Sequence, residues 1–212
     1  MAELLLPEIG NVCTPAEEMG EETYNVLVKY FTDNRFIVFN KEIDDTAIET
    51  VVMRIIKWNH EDKSIPTEQR KPIVIFLNSV GGELFNSLLL VDVIKTSKTP
   101  VKTIGMGLVA SGAYYIYING IERIAFSNTV FLQHDGSIET AGTNSKVKDF
   151  IAFNDRAVAK VKQMVLGATN ITEEFYDKIF EKEYYFFADA GKELGVVDKI
   201  IGVDVDMDYI FG

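Results

Sequence analysis

Short apolar runs alternate with longer amphipathic stretches along most of this chain. The short runs are rich in β-branched and aromatic residues, which predicts strands, whereas the longer stretches repeat apolar residues three and four positions apart, which predicts helices. The predicted strands are 35–39, 72–77, 101–105, 123–126 and 129–133. Two predicted helices begin after polar caps, one at 44–46 and one at 172. Three others cover 84–96, 113–118 and about 145–164.

This alternation predicts one α/β domain with a parallel sheet and helical crossovers. The first 20 residues lack periodicity, so we expect a flexible or loosely docked arm there and the domain itself over 21–204. The polar segment 135–144 is interpreted as an extended arm, or as a strand that pairs with another chain. We expect 205–212 to be an acidic, solvated tail. The acidic residues of that end are Asp204, Asp206 and Asp208.

Composition narrows the classes of partner. The chain has 212 residues, of which 47% are hydrophobic and 25% charged, and these are ordinary globular values. A net charge of -11 repels phosphate backbones and anionic lipids, so nucleic acids and membranes are not expected partners. No stretch approaches the roughly 18 apolar residues that span a bilayer. The single cysteine, Cys13, fits a reducing compartment, so we expect a cytoplasmic protein.

Ser111 lies where a predicted strand gives way to a predicted helix, within the small-residue segment 107–113, Gly-Leu-Val-Ala-Ser-Gly-Ala. Small residues allow a sharp turn, and a helix N-terminus stabilises negative charge that develops nearby. This placement suits a nucleophile, although a serine also needs a base. Taken alone, Ser111 is better explained as a helix cap.

The chain has two histidines, His60 and His134. His60 falls in a polar segment and is expected to be a solvated loop residue. His134 ends a predicted strand, and ligands of parallel α/β sheets collect outside the carboxyl ends of strands, so His134 could meet Ser111 there. Alone, it is better explained as a strand-end residue. One cysteine and two distant histidines do not make a zinc site, so no metal is expected.

The segment 78–82, Asn-Ser-Val-Gly-Gly, follows a buried strand. Two glycines permit backbone conformations that are closed to other residues, so their N–H groups can point at a substrate oxyanion. A tight strand-to-helix turn explains the dipeptide equally well. Phosphate binding is not supported, because the chain has neither the dinucleotide-binding nor the P-loop signature.

Together, the segments 78–82, 107–113 and 131–134 resemble, in order and spacing, the proteolytic subunit of the Clp protease family. The flanking segment 35–47 resembles that family's first strand and helix start, and 188–198 resembles its closing segment. The resemblance covers about 23–201, and it is the set of motifs that is specific rather than any single one.

The resemblance implies a crotonase-like α/β fold of repeated ββα units, in which a handle at about 135–166 joins two rings. It also implies peptide-bond hydrolysis through an acyl-enzyme. By motif position, Ser111 is the nucleophile and His134 the base, and the oxyanion donors are the backbone N–H groups of Gly82 and Gly112.

The resemblance further implies partners. These are other copies of the chain in two stacked heptameric rings, a hexameric AAA+ unfoldase that uses ATP, and unfolded polypeptide substrates. The first 20 residues would lie near the axial pore. The hydrolysis itself needs no cofactor.

The chain departs from the family at the third triad position, usually an aspartate within Arg-Asp-Arg-Phe. The matching segment 181–185 is Glu-Lys-Glu-Tyr-Tyr, which assigns the position to Glu183. A glutamate can orient a histidine as an aspartate does. Asp135 and Asp189 are fallback candidates. Other departures are Val80 for a proline, Gly112 for a methionine, Asp135-Gly136 for Gln-Pro, and the insert 64–71, and they indicate a divergent member.

Three alternatives stay open. The chain could be a catalytically silent subunit of a mixed ring, or an acyl-CoA enzyme of the crotonase superfamily, since fold does not fix function. A Ser–Lys dyad like that of signal-peptide peptidases could instead use a lysine. The available lysines are Lys95, Lys98 and Lys102.

Overall fold

The computed structural model describes residues 20–211 of the chain. These residues belong to two compact units, Met1–Phe36 and Ile37–Gly212. In the first unit, helix α1 covers Glu21–Asp33, where the sequence pattern predicts no element. Two glutamates occupy its first turn, where they interact favourably with the helix dipole. Apart from Gly20, the expected flexible arm lies outside the described residues.

Seven strands form one sheet. Neighbours β2–β3, β3–β4, β4–β7 and β3–β5 are all parallel, which confirms the predicted parallel sheet. β1 is the neighbour of β2 at one edge. The strands are β1 (Phe36–Phe39), β2 (Ile73–Ser79), β3 (Val101–Ala110), β4 (Arg123–Phe126), β5 (Val130–Gln133), β6 (Tyr184–Phe187) and β7 (Lys199–Ile201).

Strand β3 is longer than predicted, and on the side away from β2 it pairs with two strands in succession. Its first half pairs with β4 and its last residues, from Leu108, pair with β5. The change occurs at Gly107, which has a φ of +58° and was expected to begin a turn. A Cβ there would lie 2.6 Å from Asn78 Oδ1, and that same oxygen accepts the N–H of Leu108 at 3.0 Å. The hydrogen bond from Leu108 to the Asn78 side chain thus stabilises the irregular backbone at Gly107, and the strand continues to Ala110.

Strand β6 pairs antiparallel with β5 and was not predicted. Its four residues are all aromatic, with burial that alternates along the strand. Three charged residues, 181–183, precede it, so the sequence pattern indicates a solvated segment there rather than a strand.

The helices of the second unit follow the predicted pattern with shifted ends, except the last one, at Ala188–Glu193, which the sequence pattern did not predict. They are α2 (Met53–Glu61), preceded by a π-helical turn (Ile48–Val52), then α3 (Leu84–Thr96), α4 (Gly112–Tyr117), α5 (Asn144–Ala168), α6 (Glu173–Phe180) and α7 (Ala188–Glu193). The Thr172 side chain caps α6 by accepting the N–H of Phe175 at 3.2 Å. His60 is exposed as expected, but it lies in the last turn of α2 rather than in a loop. None of the helices within 20–211 is long and apolar enough to cross a membrane.

The core holds the short helix α4 rigidly behind the sheet. All six of its residues are buried. Tyr117 packs against Phe131 of β5 with ring centroids 4.9 Å apart, and Phe131 stacks on Phe186 of β6 at 5.4 Å. Burying each such ring contributes about 1.5–3 kcal/mol. The ends of β3, β5 and β6 are therefore fixed relative to one another by aromatic packing.

The acidic residues near the end of the chain, Asp204, Asp206 and Asp208, are exposed, and two of them also bind the backbone. Asp204 accepts the N–H of Ile200 at 2.8 Å and pairs with Lys192. Asp206 caps a 3₁₀ turn (Met207–Ile210) by accepting the N–H of Tyr209. Backbone N–H groups at turn and helix starts need such acceptors, so these acidic side chains are structural.

Candidate active site

Ser111 connects β3 to α4 in a conformation that few side chains adopt. Its φ of +53° and ψ of −123° lie outside the helical and extended regions. Its N–H donates to Leu132 O of β5 at 3.0 Å, which continues the β3–β5 pairing by one step. Strained backbone of this kind concentrates at functional sites, where the surrounding structure holds it in place. The serine is thereby presented at the carboxyl end of β3.

The glycine turn after β2 packs directly against this serine. Gly81 has a φ of +95°, and a Cβ on it would lie 2.7 Å from both Ser111 Cβ and Ala110 O. Gly82 has a φ of +147° and is held by Ile43, whose N–H donates to Gly81 O at 2.7 Å. Only glycine fits at this approach, so the backbone of the turn comes next to the serine.

Two backbone N–H groups beside Ser111 have no acceptor within the described part of the chain. They belong to Gly82 and Gly112. Gly112 begins α4, and the first N–H groups of a helix have no intrahelical acceptor. A Cβ on Gly112 would clash with Oγ of the buried Ser87 of α3, which leaves no room for a side chain at this position.

His134 follows β5 as Ser111 follows β3, on the neighbouring parallel strand. Its Nδ1 lies 2.9 Å from Glu183 Oε1, and its side chain is 21% exposed. Its backbone carbonyl accepts from Gln133 Nε2 at 3.1 Å and from the Tyr115 hydroxyl at 3.5 Å. The histidine is thus held both through its ring and through its backbone.

The antiparallel pairing of β5 and β6 explains why Glu183 reaches His134. Gln133 pairs with Tyr184, and the next position in that register matches His134 with Glu183. The side chain of Glu183 is 59% exposed, and its second oxygen, Oε2, accepts from the Tyr185 hydroxyl at 3.4 Å.

The two fallback acids lie in other settings. Asp189 accepts the N–H of Ala190 at 2.8 Å in the first turn of α7, and Asp135 is an exposed loop residue. Neither has a hydrogen bond to the His134 ring among the described contacts. The carboxylate that the structure brings to His134 Nδ1 is that of Glu183.

Ser111 and His134 are not hydrogen-bonded to each other. His134 Nε2 is buried and has no partner among residues 20–211. Catalytic hydrogen bonds are often long in ligand-free enzymes and tighten when substrate binds, so this separation is compatible with a nucleophile and its base. The histidine–carboxylate half of the arrangement is already formed.

Tyr115 and Gln133 also contact His134, although the sequence pattern assigns a role to neither of them. Gln133 is fully buried at the end of an otherwise apolar strand, which is the signal that could have found it. Burial raises the pKa of Tyr115 to about 12, so its hydroxyl stays protonated and able to donate at neutral pH. Both side chains donate to the same carbonyl and fix the point where β5 ends.

The lysines do not support a Ser–Lys dyad. Lys102 lies near the start of β3 and pairs with Glu122 at 2.8 Å, whereas Ser111 follows the other end of the strand, roughly 25–30 Å away at about 3.3 Å per residue. Lys95 and Lys98 are exposed residues before that same start. Within the described range, no group of three or more His, Cys, Asp or Glu residues could hold a metal ion.

Comparisons with known proteins indicate the family of the chain. The family model for Clp protease matches residues 18–204. An ATP-dependent Clp protease proteolytic subunit 2 from Prochlorococcus marinus is 25% identical over 91% of this chain and 95% of its own length. A protein of the same name from Frankia casuarinae is 27% identical over 89% of this chain and 83% of its own length.

Among solved structures, a ClpP1 point mutant from Listeria monocytogenes superposes with a TM-score of 0.71. It is 24% identical, and the match covers 86% of this chain and 98% of that one. This likeness concerns the fold, and it confirms the expected α/β architecture of the Clp peptidase type.

Proposed function

The chain belongs to the Clp protease family, and on that basis we propose that it is a serine endopeptidase that cuts unfolded polypeptides into short peptides inside a self-assembled barrel. The family match and the names of the relatives support a peptidase of the hydrolase class. The observation that carries the assignment of residues is the 2.9 Å approach of Glu183 Oε1 to His134 Nδ1, on the strand beside Ser111.

In this mechanism the Ser111 hydroxyl oxygen attacks the carbonyl carbon of the scissile peptide bond, while His134 Nε2 takes the hydroxyl proton. The tetrahedral intermediate collapses, the C–N bond breaks, and the imidazolium gives its proton to the leaving amine. Water then loses a proton to His134 and adds to the acyl-enzyme. The ester C–O bond breaks, and the proton returns to Ser111.

Glu183 accepts a hydrogen bond from Nδ1–H throughout this cycle. That bond selects the imidazole tautomer in which Nε2 carries the lone pair and can act as a base. It also stabilises the imidazolium that forms in each half-reaction. The unpartnered state of Nε2 within residues 20–211 is compatible with a base that meets Ser111 when substrate or assembly closes the site.

The backbone N–H groups of Gly82 and Gly112 bind the oxyanion of the tetrahedral intermediate. Their lack of an acceptor in the described part of the chain supports this role, as does the close packing of the glycine turn on Ser111. Donors fixed in advance stabilise charge as it develops, and one such donor is typically worth about 10²–10³ in rate.

We propose that the chain acts with other copies of itself in two stacked heptameric rings, and with an AAA+ unfoldase that consumes ATP and supplies unfolded chains. The relatives named above are ATP-dependent Clp protease subunits, which supports self-association and an ATPase partner. Helix α5 and the exposed segment before it, which has no regular structure, would form the handle between rings. A cytoplasmic setting belongs to the same proposal.

The test is covalent labelling with a fluorophosphonate, which reacts with activated serines. We expect wild-type protein to be labelled at Ser111 and to cleave a fluorogenic peptide, and Ser111→Ala to lose both while keeping its oligomeric mass. Ser64→Ala, a change at an exposed turn serine outside the proposed handle, serves as the control and should behave as wild type. If the wild-type protein assembles but Ser111 remains unlabelled at neutral pH, the proposal is refuted.

A second candidate is a silent subunit in a mixed ring. It is favoured by the absence of a Ser111–His134 hydrogen bond, and by relatives that carry different subunit numbers, 2 and 3. It predicts that the purified chain assembles but cleaves nothing, and that activity requires a second Clp peptidase chain whose own serine is intact.

A further inference from the structure

We propose that Tyr185 is a positioning residue that holds the Glu183 carboxylate against the His134 imidazole. The inference rests on the proposed function for its catalytic consequence, whereas the contact itself can be tested without catalysis. The Tyr185 hydroxyl lies 3.4 Å from Glu183 Oε2, while Oε1 lies 2.9 Å from His134 Nδ1. One carboxylate is therefore held from both sides.

A glutamate in this position needs such support more than an aspartate does. It has one more rotatable bond, and ordering a free side chain costs conformational entropy. The Glu183 side chain is also 59% exposed, so water competes for its oxygens and few packing contacts restrict its rotation. A second hydrogen bond, from a tyrosine whose backbone is paired in strand β6, favours the one rotamer that reaches the histidine.

Strand β6 places the donor correctly. Residues two apart in a strand project from the same face, so Tyr185 stands beside Glu183, whereas Tyr184 projects from the other face. The ring of Tyr184 contacts Phe175 and Phe186 in the interior. The pairing of Tyr185 with Leu132 of β5 fixes the backbone from which its hydroxyl reaches Glu183.

The hydroxyl remains a donor across the neutral range. Partial desolvation raises the pKa of Tyr185, and the negative charge of Glu183 raises it further. A phenylalanine at this position would keep the ring and lose only the hydrogen bond. The change Tyr185→Phe therefore isolates the contact.

The catalytic experiment compares Tyr185→Phe with the matched control Tyr184→Phe. We expect Tyr185→Phe to lower kcat about two- to ten-fold with an unchanged KM, which is the range for loss of one typical side-chain hydrogen bond, and Tyr184→Phe to match wild type. In a Glu183→Ala background, the loss of the Tyr185 hydroxyl should have no further effect. An equal fall in kcat in that background would overturn the proposal, because Tyr185 would then act by another route.

The second experiment uses the fact that the chain has only two histidines. In protein labelled with ¹⁵N-histidine, we expect Tyr185→Phe to increase the population of the His134 tautomer with its proton on Nε2, and to leave the exposed His60 unchanged. His60→Gln assigns the resonances. Unchanged His134 tautomers in Tyr185→Phe would refute the positioning role. If the tautomer changes although wild-type protein neither cleaves peptide nor labels, the positioning role stands and the proposed function fails.

Discussion

Gly81 lies so close to Ser111 that the smallest side chain would disturb the site. A methyl group there would meet Ser111 Cβ and Ala110 O at 2.7 Å, and the residue has a positive φ that costs an L-amino acid about 1–2 kcal/mol. We expect Gly81→Ala to lower kcat/KM by about 10²-fold or more, because displacement of the serine by about 1 Å is sufficient for that loss.

The matched control is Gly202→Ala. Gly202 has a similar φ of +86°, but its nearest heavy atom beyond its neighbours would be 4.0 Å from the new methyl group. It should therefore show the modest loss of stability that comes from φ alone, with normal peptide cleavage. Equal activity in the two variants would mean that the Gly81 turn does not constrain Ser111.

The residues of the candidate site differ in how far the sequence could predict them. His134 follows a strand end that the hydrophobic pattern locates, whereas the strand before Ser111 extends to Ala110, five residues beyond its predicted end at 105. Glu183 could be assigned only from its motif position, because its approach to His134 depends on antiparallel register across a strand that the pattern does not predict. Tyr115 and Tyr185 act through hydroxyl groups on rings that resemble ordinary core or surface aromatics in the sequence.

At the scale of elements, prediction succeeded where burial on both faces produces a continuous apolar run. Strands β2 and β4 and helix α3 lie within a residue or two of their predicted positions. The short elements α7 and β7 were not predicted, and helix α1 and strand β6 were missed for different reasons. The apolar residues of α1 are largely exposed, so no buried stripe marks it, whereas β6 is a run of aromatics masked by the charges before it.

The final 3₁₀ turn is attached to the sheet by an ionic cluster around Glu122. This carboxylate pairs with Lys102 at 2.8 Å and Lys199 at 2.9 Å, and accepts from the Tyr209 hydroxyl at 2.6 Å. Burial acts to raise the pKa of Glu122, but the hydrogen bonds from Lys102, Tyr209 and Lys199 outweigh it and bring the pKa to about 2. The charged form is therefore favoured in the folded state.

The sign of the pH effect follows from that lowered pKa. The stabilisation is fully present above the ordinary glutamate pKa of 4.5 and is lost as the pH falls through about 2. We expect Glu122→Gln to lower the free energy of unfolding by about 1–2 kcal/mol at pH 7, after allowance for solvent screening.

Urea unfolding of wild type and Glu122→Gln at pH 7, 4 and 3 checks this expectation. The difference should shrink between pH 4 and pH 3. The exposed loop residue Glu139 supplies the control, and Glu139→Gln should match wild type throughout. A difference that stays constant with pH would show that the carboxylate charge is not what attaches the turn.

At the scale of the whole molecule, the net charge of -11 acts against the proposed barrel. Like-charged chains repel one another over a distance set by the Debye length, which is about 30 Å at 0.01 M salt and about 8 Å at 0.15 M. We therefore expect the assembly to dissociate at low ionic strength and to be restored by added KCl, with sedimentation velocity as the measurement.

Peptide cleavage per chain should rise with the assembled fraction, because His134 Nε2 has no partner within residues 20–211 of a single chain. A chain that stays monomeric from 0.01 M to 0.5 M KCl would contradict the barrel, and full cleavage by that monomer would show that Ser111 and His134 align without it.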